Sequence, residues 1–158
     1  MSFKDDIDKF VAKTNMLIDN TYRQSCKMVS EDIAEETPVS TGRLLGSWAP
    51  SADSMGSNSY SGGMSAWSVD EKGWKKDESI ANANRAAAMA DVMSRISSVT
   101  AGLNRKRPYY FTNDVDYVRM AEHDGWAAQG GTTGPYRMRE KAILNWQAIV
   151  NEAALTNV

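Results

Sequence analysis

A single histidine and a single cysteine limit the side-chain chemistry open to this chain. His123 stands in Glu122-His123-Asp124, three adjacent residues with acid-base or metal-ligating groups. Neighbouring side chains on a helix or strand do not converge on one centre, so a structural or solvated role is expected for His123. A Ser-His-Asp triad is defined by geometry rather than chain order, and serines are plentiful here. No serine sits in a Gly-x-Ser-x-Gly elbow, however, which argues against a hydrolase centred on His123. Cys26 falls between Tyr22 and Val29 on an apolar helical stripe, the setting of a buried and inert thiol. One cysteine excludes an internal disulfide and a cysteine-rich zinc site. Asn113-Asp114-Val115-Asp116 spaces two acids as calcium loops do but lacks their glycine and terminal glutamate, so turn chemistry is expected. Gly62-Gly63 and Gly130-Gly131 lack the Gly-Lys-Ser/Thr ending of a phosphate loop. No catalytic, cofactor-binding or metal-binding residue is assigned, and no cofactor is expected.

Arg105-Lys106-Arg107, followed by Tyr109, Tyr110 and Phe111, is the best nucleic-acid candidate, because cations and stacking rings cooperate on single strands. Against it stands the whole chain, with 18 basic and 20 acidic residues, a net charge of -2 and a pI near 5.4. Duplex affinity comes mainly from neutralising phosphates, so a solvated turn leading into a buried strand is the expected role. Trp67, Trp74 and Trp126 lie outside the amphipathic segments, with Trp74 embedded among charges in Glu71-Lys72-Gly73-Trp74-Lys75-Lys76. Tryptophan is enriched among residues that dominate interfaces, which makes these three candidates for contact with another protein.

These groups are positioned by an α+β arrangement within a single domain over residues 1–158. Phe3, Ile7, Phe10, Val11, Leu17, Ile18, Tyr22, Cys26, Val29 and Ile33 recur at helical spacing, and no glycine or proline interrupts 3–36. Ser2 caps this helix, and Thr37-Pro38 stops it. At 1.5 Å per residue it would be about 50 Å long, more than a compact domain of this size needs. Arg43 to Trp48 reads as a strand, residues 51–65 as a flexible hairpin tip rich in serine and glycine, and Met64 to Val69 as the returning strand. A helical insertion over 77–98 follows, then a strand at Tyr109 to Thr112. A turn with a short helix follows over Asp114 to His123, then a glycine-marked loop, and finally a helix from Pro135 to about Ala154. The expected architecture is a long N-terminal and a C-terminal helix packed on a small antiparallel sheet. No apolar run is long enough to cross a membrane and the first residues carry acid, so a cytosolic, non-membrane chain is expected.

Thr37-Pro38-Val39-Ser40-Thr41-Gly42-Arg43-Leu44, with Ser47-Trp48 just after, resembles the signature of the tail-component family of long-tailed bacteriophages. Tyr110-Phe111-Thr112-Asn113, then Tyr117-Val118 and Glu122, is similar to that family's second conserved pattern, although His123-Asp124 intervenes before Gly125. Pro135 and Met138-Arg139, leading into a helix with Trp146, Ile149 and Val150, is similar to its ending. The resemblance implies a non-enzymatic structural protein of the virion at the head-tail junction, a neck or tail-completion protein joining connector to tail tube within a ring. A tail terminator capping the tube is the alternative within the class, and a small DNA-binding or packaging factor using Arg105, Lys106 and Arg107 is the alternative outside it. Implied partners are further copies of itself, the head-closure or connector protein, and the tail-tube or terminator protein. Genomic DNA would pass through the lumen without specific binding. Assembly would begin in the host cytoplasm. Thr37, Pro38, Thr41, Gly42, Arg43, Leu44, Asn113 and Tyr117 become its structural motif. Arg43 is expected to bind carbonyls at the helix end or a neighbour's carboxylate, with Glu122 as a candidate partner. Arg43, Glu122, Trp67, Trp74 and Trp126 are the interface candidates.

Overall fold

The structure, a computed structural model, describes residues 2–71, 73–128 and 131–157, with the side chains at 70, 74, 126–128 and 131–133 outside the described set. Helix α1 spans Phe3–Glu36. Ser2 and Asp5 close a reciprocal capping box at its start, with Asp5 N–H donating to Ser2 Oγ at 3.3 Å and Ser2 N–H to Asp5 Oδ2 at 2.9 Å. It ends where Pro38 forces Thr37 into an extended conformation (ψ 125°). Thr37 Oγ1 then donates to Ile33 O at 2.7 Å, satisfying one carbonyl of the last turn.

Arg43 to Trp48 is not a strand. Residues Arg43–Gly46 form a single helical turn, α2, entered through Gly42 at φ +79°. Gly46 N–H bonds Gly42 O at 2.8 Å and Ser47 N–H bonds Arg43 O at 3.0 Å. A turn places Leu44 and Leu45 side by side in the core, whereas a strand would put them on opposite faces. A side chain at position 42 would be strained by its φ and would also press on Asn84 O of the next helix, so glycine is required there.

Strand β1, Ala49–Ala52, pairs antiparallel with β4, Tyr109–Thr112, in the register Ala49 to Thr112. Strands β2, Trp67–Asp70, and β3, Gly73–Lys76, form a separate ribbon, and β5, Trp126–Ala128, with β6, Gly131–Thr133, a third. The expected hairpin across 51–65 is therefore replaced by a connection between strands of different ribbons. It is pinned along its length. Asn58 Nδ2 donates to Gly46 O at 2.7 Å, Gly63 N–H to Thr41 O at 2.6 Å, and Asn84 Nδ2 to Met64 O at 2.7 Å.

Helix α3, Glu78–Ala101, starts at Asp77, whose Oδ1 accepts from Ser79 and Ile80 N–H. It supplies Ala88, Val92 and Ile96 to the main core. These meet Ile33 and Ala34 of α1, Leu44 and Leu45 of α2, Trp48, Val115 and Ala121. The last helix, α4, covers Met138–Leu155 and adds Met138 and Ala142 to that core. It begins at Met138 rather than Pro135, because Tyr136 and Arg137 N–H are bonded to Ala121 and Glu122 carbonyls. Those carbonyls belong to one wide π-type turn, Met120–Asp124, and its edge.

Candidate assembly surface

The signature residues build one buried corner. Thr37, fully buried, accepts at Oγ1 from Trp48 Nε1 at 2.9 Å while donating to Ile33 O, which ties the end of α1 to the exit of α2. Trp48 stacks on Phe111 of β4 with ring centroids 4.9 Å apart and planes 10° from parallel. Asn113 Nδ2 donates to Leu44 O at 2.8 Å and its Oδ1 accepts from Val115 N–H, so the second motif locks onto the first. Thr41 Oγ1 accepts from Arg43 N–H at 3.2 Å. Pro38 and Thr41 are half-buried at the rim.

Arg43 does not bind the carbonyls at the end of α1. It is exposed and forms no ion pair among the described residues. Its charge acts on Tyr117, whose hydroxyl pKa burial raises and the guanidinium pulls back. Two arginines of α3 bind the carbonyls instead. Arg85 Nη1 donates to Thr37 O at 3.2 Å and its Nη2 to Glu35 O, capping α1. Arg95 donates to Trp48 O and, at 2.6 Å, to Gly46 O, with Asp91 completing the fork at 2.8 Å. The sequence reading missed both, since nothing local joins α3 to positions 35–48.

Glu122 is also reassigned. Its side chain is buried, and its carboxylate accepts from the N–H groups of Arg139 (3.0 Å) and Glu140 (3.4 Å), not from Arg43. Arg137, at the cap position of α4, offers no side-chain cap of its own. A carboxylate from another element therefore meets the positive end of the helix. Next to it, His123 is exposed, and among the described residues no three His, Cys, Asp or Glu side chains gather as metal ligands.

Two cations of the basic run are held by acids. Arg105 reaches Asp19 Oδ1 at 3.4 Å and Asn15 Oδ1 at 2.7 Å, and Arg107 grips Asp53 through Nη2 at 2.6 Å and Nε at 3.1 Å. Arg107 draws Asp53 below the usual carboxylate range. Lys106 is exposed. The run fastens the α3–β4 connection to α1 and β1.

Behind it, Tyr22 donates to Arg107 O at 2.9 Å, and the Ser30 and Tyr109 hydroxyls share a bond of 2.7 Å. Burial, the largest cause in each case, raises the Cys26 thiol to about 11 and the Tyr22 and Tyr109 hydroxyls to about 12. The cysteine is thereby a protonated, weakly nucleophilic thiol at neutral pH.

Several large apolar side chains are exposed. Trp67 on β2 is 40% exposed and Val69 beside it 64%. The backbone of Trp74 lies in β3 and that of Trp126 in β5, while both side chains are outside the described residues. Helix α1 is exposed from Ser2 to Lys13, including Phe3 (83%), Ile7, Phe10 (69%) and Val11. Trp146, part of the family-like ending, is half exposed on α4. With Val150 and Ala154 it faces Leu17, Ile18 and Tyr22 across a groove of about 470 Å³.

Compared with protein-family models, with curated proteins and with solved structures, the chain matches none.

Proposed function

We propose that this chain is a non-enzymatic structural protein of a bacteriophage virion, at the head-tail junction, acting within a ring that joins connector to tail tube. The observation that carries the reading is the Thr37–Leu44 signature, placed directly after a long helix. In it Thr37, Gly42 and Leu44 each have a structural task that their residue type explains. A second support is the surface: apolar side chains on α1 and on the β2–β3 ribbon are left uncovered, as a protein that assembles requires. Rings are closed by heterologous contacts, so two different faces must meet. The ribbon with Trp67 supplies one, and the exposed Arg43 beside Tyr117 lies on the other.

The deciding experiment is mass spectrometry and electron microscopy of purified particles from a phage encoding this chain. The expected result is a fixed, small copy number located between head and tail, with headfuls and tails accumulating unjoined when the gene is removed. Mature, infective particles lacking the polypeptide would overturn the reading. The packaging-factor alternative has its own test. With Arg105 and Arg107 already bound to acids and a net charge of -2, no salt-dependent retention of random duplex is expected even at low ionic strength.

A further inference from the structure

We infer that two copies of this chain pair through the exposed N-terminal arms of α1, packed antiparallel about a two-fold axis. The arm comprises the first turns of α1, up to about Thr14, and is exposed from Ser2 to Lys13. Asn15 and Asp19, just beyond it, hold Arg105. The arm carries Phe3, Ile7, Phe10 and Val11 exposed on a single face.

That face is the one α4 covers further along. Lys141 pairs with Glu36 and Asn145 with Asp32, while Ala154 and Asn157 line the groove with Leu17, so α4 runs antiparallel to α1 and stops beside Leu17. Past that point the apolar stripe continues exposed, through Val11, Phe10 and Ile7 to Phe3. A helix laid there would continue the line of α4 in the same direction. Its positive N-terminus would then follow the negative C-terminus of α4.

The sequence specifies which helix fits. Phe3, Ile7, Phe10, Thr14 and Leu17 alternate in steps of four and three, the seam of a coiled coil, with Asp6 and Lys13 as consecutive flanking positions on one side. With Ile7 opposite the partner's Phe10, and Phe3 opposite the partner's Thr14, Asp6 meets the partner's Lys13 at both symmetry-related edges. Sliding by one heptad would bring Lys13 against the partner's Lys13 and drive the partner's first turn towards α4. Charge and the end of α4 therefore choose the same register.

The four apolar side chains expose on the order of 450 Å² per copy, within the range of the largest patch of a monomer. Pairing two such faces buries up to about 900 Å² of apolar surface, to which the flanking stems add. A two-fold contact closes on itself, so it is separate from the heterologous ring contacts and does not rest on the virion reading.

Sedimentation equilibrium of the full chain from about 1 to 100 µM tests it, with circular dichroism verifying that each variant folds. The wild type is expected as a dimer. Phe10→Asp, at an exposed position, should weaken pairing by about 100-fold or more. Asp6→Lys and Lys13→Asp should each weaken it roughly tenfold, and the double exchange should restore it to within about threefold. A monomer throughout the range overturns the inference, whether the arm is free or meant for a foreign helix. A dimer indifferent to Phe10→Asp, or charge variants without mutual rescue, overturns it too. A dimer absent from virions would leave the pairing standing and sink only the function proposed above.

Discussion

At the scale of single residues, the polar side chains that matter most act on backbone. Arg95 satisfies the carbonyls of Gly46 and Trp48, both buried residues. Arg95→Met takes this donor from Trp48 O, while Gly46 O keeps the bond from Asn58, and should cost about 1–3 kcal/mol in urea unfolding, because a buried carbonyl without a donor keeps its desolvation penalty. Arg43→Ala removes an exposed side chain and should change stability by less than about 0.5 kcal/mol, so any defect it causes would appear in assembly alone. Glu122→Ala should cost about 2 kcal/mol, with Glu122→Gln in between, since the amide keeps one acceptor for the N–H groups of α4. Cys26, Tyr22 and Tyr109 share one pH consequence. Each has its folded pKa raised above the unfolded value, so unfolding releases protons once the unfolded groups titrate. Stability is fully present below about pH 9 and should fall as pH rises towards 12. A melting series across that window should show the fall, and Tyr109→Phe should make it shallower.

At the scale of elements, the short helix α2 shows how far local pattern reaches. Leu44, Leu45 and Trp48 fit a strand or a helical turn equally well over so few residues. Gly42 in the left-handed region and the 2.8 Å bond from Gly46 to Gly42 decide for the turn. Gly46 has a further reason to be glycine, because a methyl group there would overlap the ring of Tyr60. Gly46→Ala should therefore displace the 58–63 segment and lower stability by about 1–3 kcal/mol. Faster proteolysis within that segment is the confirming measurement. Helix α4 makes the complementary case. Its first turn depends on Glu122, a residue in a different element, so capping rules applied along the chain could only misplace its start at Pro135.

At the scale of the whole molecule, the main core among the described residues is drawn from α1, α2, α3 and α4 with Trp48, Val115 and Ala121, and Phe111 of β4 packs against it. By itself the sequence determined the features that are local. Ser2 and Asp5 start α1, Thr37-Pro38 ends it, Asp77 starts α3, and Cys26 lies on a buried stripe; each follows from spacing within one or two turns. It also determined the α+β class, since helical and turn-bounded segments alternate in length and period. Tertiary structure alone decided which strands pair, because the register of Ala49 with Thr112 is long-range and carries no signal in either segment. It likewise decided that Arg85 and Arg95, not Arg43, bind the carbonyls around α2, and that Arg105 and Arg107 are held by Asp19 and Asp53. The periodicity of α1 runs unchanged from Phe3 to Ile33, whether or not a neighbour lies against it. The end of α4 beside Leu17 divides that stripe into a part that α4 lies against and a part left exposed. An apolar period records that a face seeks burial; where the covering element stops is fixed by packing.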